Sequence, residues 1–187
     1  RESVADLGDG TFAVQFGTTN KTFVRVDADL PAASWGLNYA KLGAGGSLWV
    51  AIMEKALASY RYTSSAANYA NIGGGWMSEG YADLGSARNS SCGSSSTDWF
   101  NQIASALDSG QAVTLATRAS AQANLVGSHA YVVDHVGYDS AGNAYLVLRN
   151  PWGMDGYSTT DGISDGYVTV SVADAFNSAS GVTRATV

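Results

Sequence analysis

"LVGSHAYVVDHVGYDSAGNAYLVLRNPWG" runs from Leu125 to Gly153 and holds both histidines of the chain. His129, Tyr131, Val133 and His135 alternate with Ala130, Val132, Asp134 and Val136, which is the two-residue period of a strand. Asp139-Ser140-Ala141-Gly142-Asn143 has turn chemistry, and Tyr145 to Asn150 then returns antiparallel. In such a hairpin the start of one strand lies beside the end of the other, so His129 and Asn150 share one end. A turn centred between Asp139 and Ser140 sets them opposite each other. A turn centred on Ala141 staggers them by about three residues, which a β-bulge can absorb. The sequence leaves both registers open.

An asparagine beside a histidine has a chemical use. Its amide oxygen accepts the N–H of one ring nitrogen, fixes the tautomer and aims the other nitrogen at a nucleophile; papain-like proteases use Asn as this third group. A cysteine nucleophile suits the arrangement, because the imidazolium stabilises the thiolate. Trp152, two residues further on, is placed to cover the pair and exclude water. The plainer reading is a polar residue at a strand end followed by a turn proline. The alternation puts His135 on the same face as His129, about 20 Å along the strand. That is too far for one catalytic centre or for a two-histidine metal site, so His135 reads as a structural or surface residue.

Working outward, "TFAVQFGTTNKTFVRVDADLP" is an earlier hairpin, with Phe12, Val14 and Phe16 alternating and Phe23, Val24 and Val26 after the turn. "SLWVAIMEKALASYRY" is the strongest helix, with Leu48, Trp49, Ile52, Met53, Ala56, Leu57 and Tyr60 on one face and Ser47 as the expected N-cap. Residues 61–96 read as irregular. "TDWFNQIASALDSG" is a second helix, with Thr97 as its cap and Gly110 where a positive φ is wanted. "QAVTLAT", "AYLVLRN" and "GYVTVSV" read as further strands. The expected fold is therefore α+β: two main helices packed on a mostly antiparallel sheet, preceded by a β-hairpin.

Composition narrows the function. The 187 residues carry a net charge of −6 with no basic run, which argues against a nucleic-acid partner. No apolar stretch approaches the roughly 20 residues of a membrane-spanning helix. The single cysteine, Cys92, excludes an internal disulfide and a Cys-based metal site. Low Lys with abundant Ala, Ser, Gly and Thr points toward a bacterial exported or surface protein. The chain opens on Arg1 rather than Met, as a chain with something removed from its front would.

"GSHAYVVDHV" followed by "YLVLRNPWG" resembles the paired His and Asn motifs of the calpain-type, papain-like cysteine proteases. The resemblance extends back through "SLWVAIMEKALASYRY", similar to the family's Trp-containing Glu-Lys-Ala helix, and through "GGGWMSEGYADLGSAR", similar to its Gly-rich gating loop. "GDGTFAVQFG" with "KTFVRVDADLP" resembles the hairpin before the lobe hinge, and "DGYVTVSVADAF" the strand that closes the core; the likeness spans residues 6–176. It implies His129 as general base, Asn150 as its orienting group, Trp152 in support, and Gly73, Gly74, Gly75, Trp76 and Glu79 in a substrate-gating loop. It also implies a division into residues 1–44, a hairpin remnant of the first lobe with the hinge, and 45–187, the second, His/Asn-bearing lobe. In that remnant the apolar face of Phe12, Val14 and Phe16 would lack its usual partners. Glycines 43, 45 and 46 would let the lobes rotate.

In the family the nucleophilic Cys opens a helix near the front of the first lobe, after an oxyanion-hole Gln. No matching Gly-Asp-Cys-Trp text exists here. Cys92, in "NSSCGSSSTDW", reads as an ordinary loop thiol. The expectation is a calpain-like endopeptidase part acting on polypeptides, completed by a Cys-bearing segment or chain and inactive alone. The alternative is an inactive relative that binds a peptide or protein. No cofactor is required by the sequence. Calcium is a weak expectation at Asp155, Asp161 and Asp165, because calcium favours oxygens from Gly-rich loops and the family's animal members bind it near this loop.

Overall fold

The computed structural model describes residues 3–34, 36–38, 40, 46–61, 68–90, 93–156 and 162–186. Cys92, Asp161, Gly43 and Gly45 lie outside the described residues. The chain forms two compact units, Arg1–Gly85 and Ser86–Val187. It is α+β, with antiparallel sheets and four α-helices among the described residues.

In the first unit, β1 (Val4–Asp6), β2 (Thr11–Phe16) and β3 (Thr22–Asp27) make an antiparallel sheet in that order. Two short strands, β4 (Ala32–Ala33) and β5 (Gly36–Leu37), pair separately. Helix α1 (Trp49–Tyr60) lays Ile52 and Ala56 on Val14, Phe16 and Val26, and the Phe16 ring stacks on Tyr60 at 4.4 Å. Burying each larger apolar side chain contributes about 1.5–3 kcal/mol, which is what binds helix to hairpin. Val14 and Phe16, expected to lack partners, are instead covered by α1, which supplies the hairpin's apolar partner within the unit that runs to Gly85. The helix begins after Leu48 with no side-chain cap, so Ser47 does not cap it. Trp49, placed on the packing face by sequence, is 58% exposed. Glu54 of α1 accepts the N–H of Ala40 at 2.8 Å, and burial pushes its carboxyl pKa up.

Residues 61–96 are less irregular than their sequence suggests. A 3-10 turn (Tyr69–Ile72) precedes helix α2 (Met77–Asp83), and strand β6 (Arg88–Asn89) follows. The Glu79 carboxylate accepts the Trp76 N–H at 3.1 Å and closes the start of α2. Arg61 holds Asp83 at 2.7 Å.

The second unit is built on a six-stranded antiparallel sheet. Its strands are β7 (Gln111–Thr117), β8 (Ala130–Tyr138), β9 (Ala144–Arg149), β10 (Tyr167–Ser171) and β11 (Ala179–Thr186), with β6 at one edge. They lie in the order β10-β9-β8-β7-β11-β6. Helix α3 (Ser96–Asp108) puts Trp99, Phe100 and Ile103 into a core shared with Leu115, Tyr131, Val133, Leu146, Leu148 and Val168. Helix α4 (Val172–Ser178) adds Ala175, and its Phe176 meets Trp99 edge-on at 5.8 Å. Ser95, not Thr97, caps α3, its hydroxyl accepting the Asp98 N–H at 3.1 Å. Gly110 follows the helix at φ +72, as the expected C-terminal glycine does. No helix among the described residues is long and apolar enough to cross a membrane.

Candidate active site

The β8–β9 hairpin fixes the register that the sequence left open. Gly137 faces Tyr145 and Tyr138 faces Ala144, so the turn centres on Ala141. Asp139 organises it: Oδ1 accepts the N–H groups of Ala141 and Asn143, and Oδ2 accepts from Asn143 Nδ2. The Asn143 side-chain bond, ahead of the backbone ones, holds the Asp139 carboxyl pKa below its usual value. The pairing then shifts by one residue. Val133 faces Leu148 and His135 faces Val147, leaving Asp134 as the extra residue of a β-bulge.

The bulge inverts the alternation. Before it, Tyr131 and Val133 face the core; after it, Val136 packs there instead. His135 is thereby turned out to solvent, with Nδ1 2.9 Å from Asp134 Oδ2. The expectation that both histidines share one face fails for this reason, while a surface location for His135 agrees with its exposure.

The bulge also takes up part of the stagger at the other end, and the His129 and Asn150 side chains meet. His129 Nε2 lies 2.9 Å from Asn150 Oδ1. That oxygen also accepts the Trp152 N–H at 3.0 Å. An oxygen already held by a backbone N–H can only accept, so His129 carries its proton on Nε2 and leaves Nδ1 as the free lone pair. Asn150 is 1% exposed, and its Nδ2 has no partner among the described residues. Asn150-Pro151-Trp152-Gly153 is a β-turn, closed by Gly153 N–H to Asn150 O at 3.1 Å. Asn at its first position, Pro at its second and Gly at its fourth are the residues such a turn favours.

Rings enclose the imidazole. Trp152 lies 4.3 Å from it, tilted by 45°, and Tyr131 meets it edge-on at 5.0 Å. Trp152 remains 46% exposed, so it shields one side of the ring without sealing the site.

Sequence reading missed the groups that hold His129 in place. Thr117, buried at the end of β7, accepts the His129 N–H on Oγ1 at 3.0 Å and donates to Val126 O at 2.6 Å. Thr117 N–H in turn donates to His129 O at 2.8 Å. The buried Tyr131 hydroxyl accepts the Val126 N–H at 2.8 Å, tying down the loop before His129. Ser128 takes a left-handed φ of +52 there, a conformation that costs a residue with a Cβ about 1–2 kcal/mol. The available signal was Thr117 itself, a polar residue in phase with the inward Val113 and Leu115.

Gly73, Gly74, Gly75, Trp76 and Glu79 belong to the first compact unit, where Trp76 is 78% exposed at the start of α2. Of the three aspartates expected to hold calcium, Asp161 lies outside the described residues, and Asp155 and Asp165 are engaged with separate backbone groups. Asp155 is buried and its Oδ1 accepts the Gly166 N–H, whereas Asp165 Oδ1 accepts the N–H of Tyr167, two residues on. Among the described residues no three potential ligands converge as a metal site, and calcium needs six to eight oxygens.

No curated protein matches the chain. A family model described as calpain family cysteine protease matches residues 2–166, nearly the whole chain and both members of the His–Asn pair. The chain belongs to the calpain family of cysteine proteases.

Proposed function

We propose that this chain supplies the general base and its orienting group to a papain-like, calpain-type endopeptidase, with the nucleophilic cysteine provided from outside residues 1–187. The observation that carries this reading is the 2.9 Å contact between His129 Nε2 and a buried, doubly engaged Asn150 oxygen. The family supplies the reaction class, hydrolysis of polypeptides by a thiol.

His129 Nδ1 takes the proton of the incoming thiol, and the thiolate attacks the peptide carbonyl carbon. As the C–N bond breaks, the imidazolium protonates the departing amine and an acyl thioester remains. Water then attacks the thioester while His129 accepts its proton. The carboxylic acid leaves, and the thiol recovers its hydrogen. Asn150 holds the ring through both proton transfers, and Trp152 limits water on one side. The loop around Gly73, Gly74, Gly75, Trp76 and Glu79 is the proposed gate for substrate.

Joining a calpain-type Cys-bearing segment to this chain and following cleavage of a fluorescent polypeptide tests the proposal. Turnover that disappears in His129→Ala supports it. Turnover unaffected by His129→Ala refutes it. A second reading, an inactive relative that binds peptides, is favoured by the position of the single cysteine in the Ser-rich run before α3. Peptide binding without turnover in the completed protein selects that reading.

A further inference from the structure

Asp155 is unusual for a carboxylate in a glycine-rich loop. It is 1% exposed and among the largest fully buried side chains of the protein. A carboxylate so placed is costly unless hydrogen bonds hold it. Its Oδ1 accepts the Gly166 N–H at 2.9 Å, its backbone N–H reaches Ser164 Oγ at 3.4 Å, and Oδ2 has no partner among the described residues.

The significance lies in what Gly166 does next. Its carbonyl oxygen accepts the Asn150 N–H at 2.7 Å. Its backbone runs flush against the Asn-Pro-Trp-Gly turn: it sits at φ +89, and a Cβ there would stand 3.1 Å from Gly153 C. A continuous path therefore leads from the Asp155 carboxylate through the Gly166 peptide to the Asn150 backbone, and through Asn150 Oδ1 to His129 Nε2. The first link is the Asp155 Oδ1 acceptor, held in place by its burial.

We infer that Asp155 is a positioning residue for the His129–Asn150 pair, acting through Gly166. The inference rests on the proposed role of that pair, yet its test needs no peptidase. The full chain is examined in EDTA by amide hydrogen exchange and by nitrogen NMR of the His129 ring. Asp155→Ala is compared with Asp155→Asn, which keeps an acceptor oxygen, and with Val182→Ala, a cavity in β11 as a control for general loosening.

In Asp155→Ala the Asn150 amide should exchange about tenfold faster or more, and the His129 ring should lose its single Nε2–H tautomer. Asp155→Asn should restore both, and Val182→Ala should lower Tm without moving the ring signals. Unchanged Asn150 exchange and ring signals in Asp155→Ala overturn the inference, as does an equal response in Val182→Ala. If Asp155→Ala does not fold, the intact chain decides. The Gly166 amide must then be protected as strongly as that of Asn150, and exchange at the rate of an open loop overturns the inference. Should the ring respond as expected while a completed protease ignores His129→Ala, the catalytic reading fails and the positioning role stands.

Discussion

The two ends of the β8–β9 hairpin are held together in opposite ways. At the turn, the Asp139 side-chain bonds span at most four positions and are exposed. At the open end, the bonds to His129 span 12 and 21 positions, and Asn150 and Thr117 are buried. The turn is local chemistry that the pentapeptide carries with it. The His–Asn end exists only once β7, β9, Asp155 and Gly166 have come together around it. A site built from long-range bonds reports on the whole sheet, and small changes to its supports reach the imidazole.

The largest effect should come from removing the ring itself. In the protein completed with a Cys-bearing segment, His129→Ala should lower kcat by about 10²–10⁴-fold, whereas His135→Ala beyond the bulge should stay within about twofold. Equal losses would erase the distinction between the two ends. Next in size is Asn150→Ala. It strips the acceptor from both His129 Nε2 and the Trp152 N–H and leaves a small void, costing about 3 kcal/mol in denaturant unfolding. Thr117→Val keeps the shape but leaves the His129 N–H and the Val126 carbonyl without their hydroxyl partner, at a cost of about 1–2 kcal/mol. An unfolding midpoint equal to wild type would show that the buried support of His129 is not a support.

The smallest effect belongs to the turn. Asp139 has a pKa lowered in the folded state, chiefly by the Asn143 side chain. A lowered folded pKa contributes stability that is present above the unfolded value, about pH 4, and is lost as pH falls through the folded value. Unfolding curves of wild type and Asp139→Asn should therefore converge on acidification. Solvent screening keeps the difference small. A gap that widens toward low pH contradicts the assignment.

The sequence made the hairpin, the pairing of His129 with Asn150, and the α+β class readable, because strict alternation and turn residues are local signals. The facing of His135 was not readable. Asp134 is polar, so an alternating pattern runs through it unbroken while the backbone inserts it as a bulge. Helix α2 was hidden by Gly80 and the glycines before Trp76, and β11 by its Ala-Ser-Gly start; β11 is set by pairing with β7 rather than by its own propensity. In sequence Asp155 reads only as a calcium candidate, since its burial depends on the Gly166 peptide lying against the turn at 150–153. Thr117 earned no attention because a strand-end threonine is common, and its two bonds depend on the neighbouring strand.

Nitrogen NMR of the His129 ring in the intact chain tests the central claim most directly, because it needs neither cysteine nor substrate. Above the imidazolium range, the account predicts a single tautomer protonated at Nε2, with a slowly exchanging proton that Asn150→Ala releases. A ring protonated at Nδ1, or one averaging freely between tautomers in the wild-type chain, would contradict it.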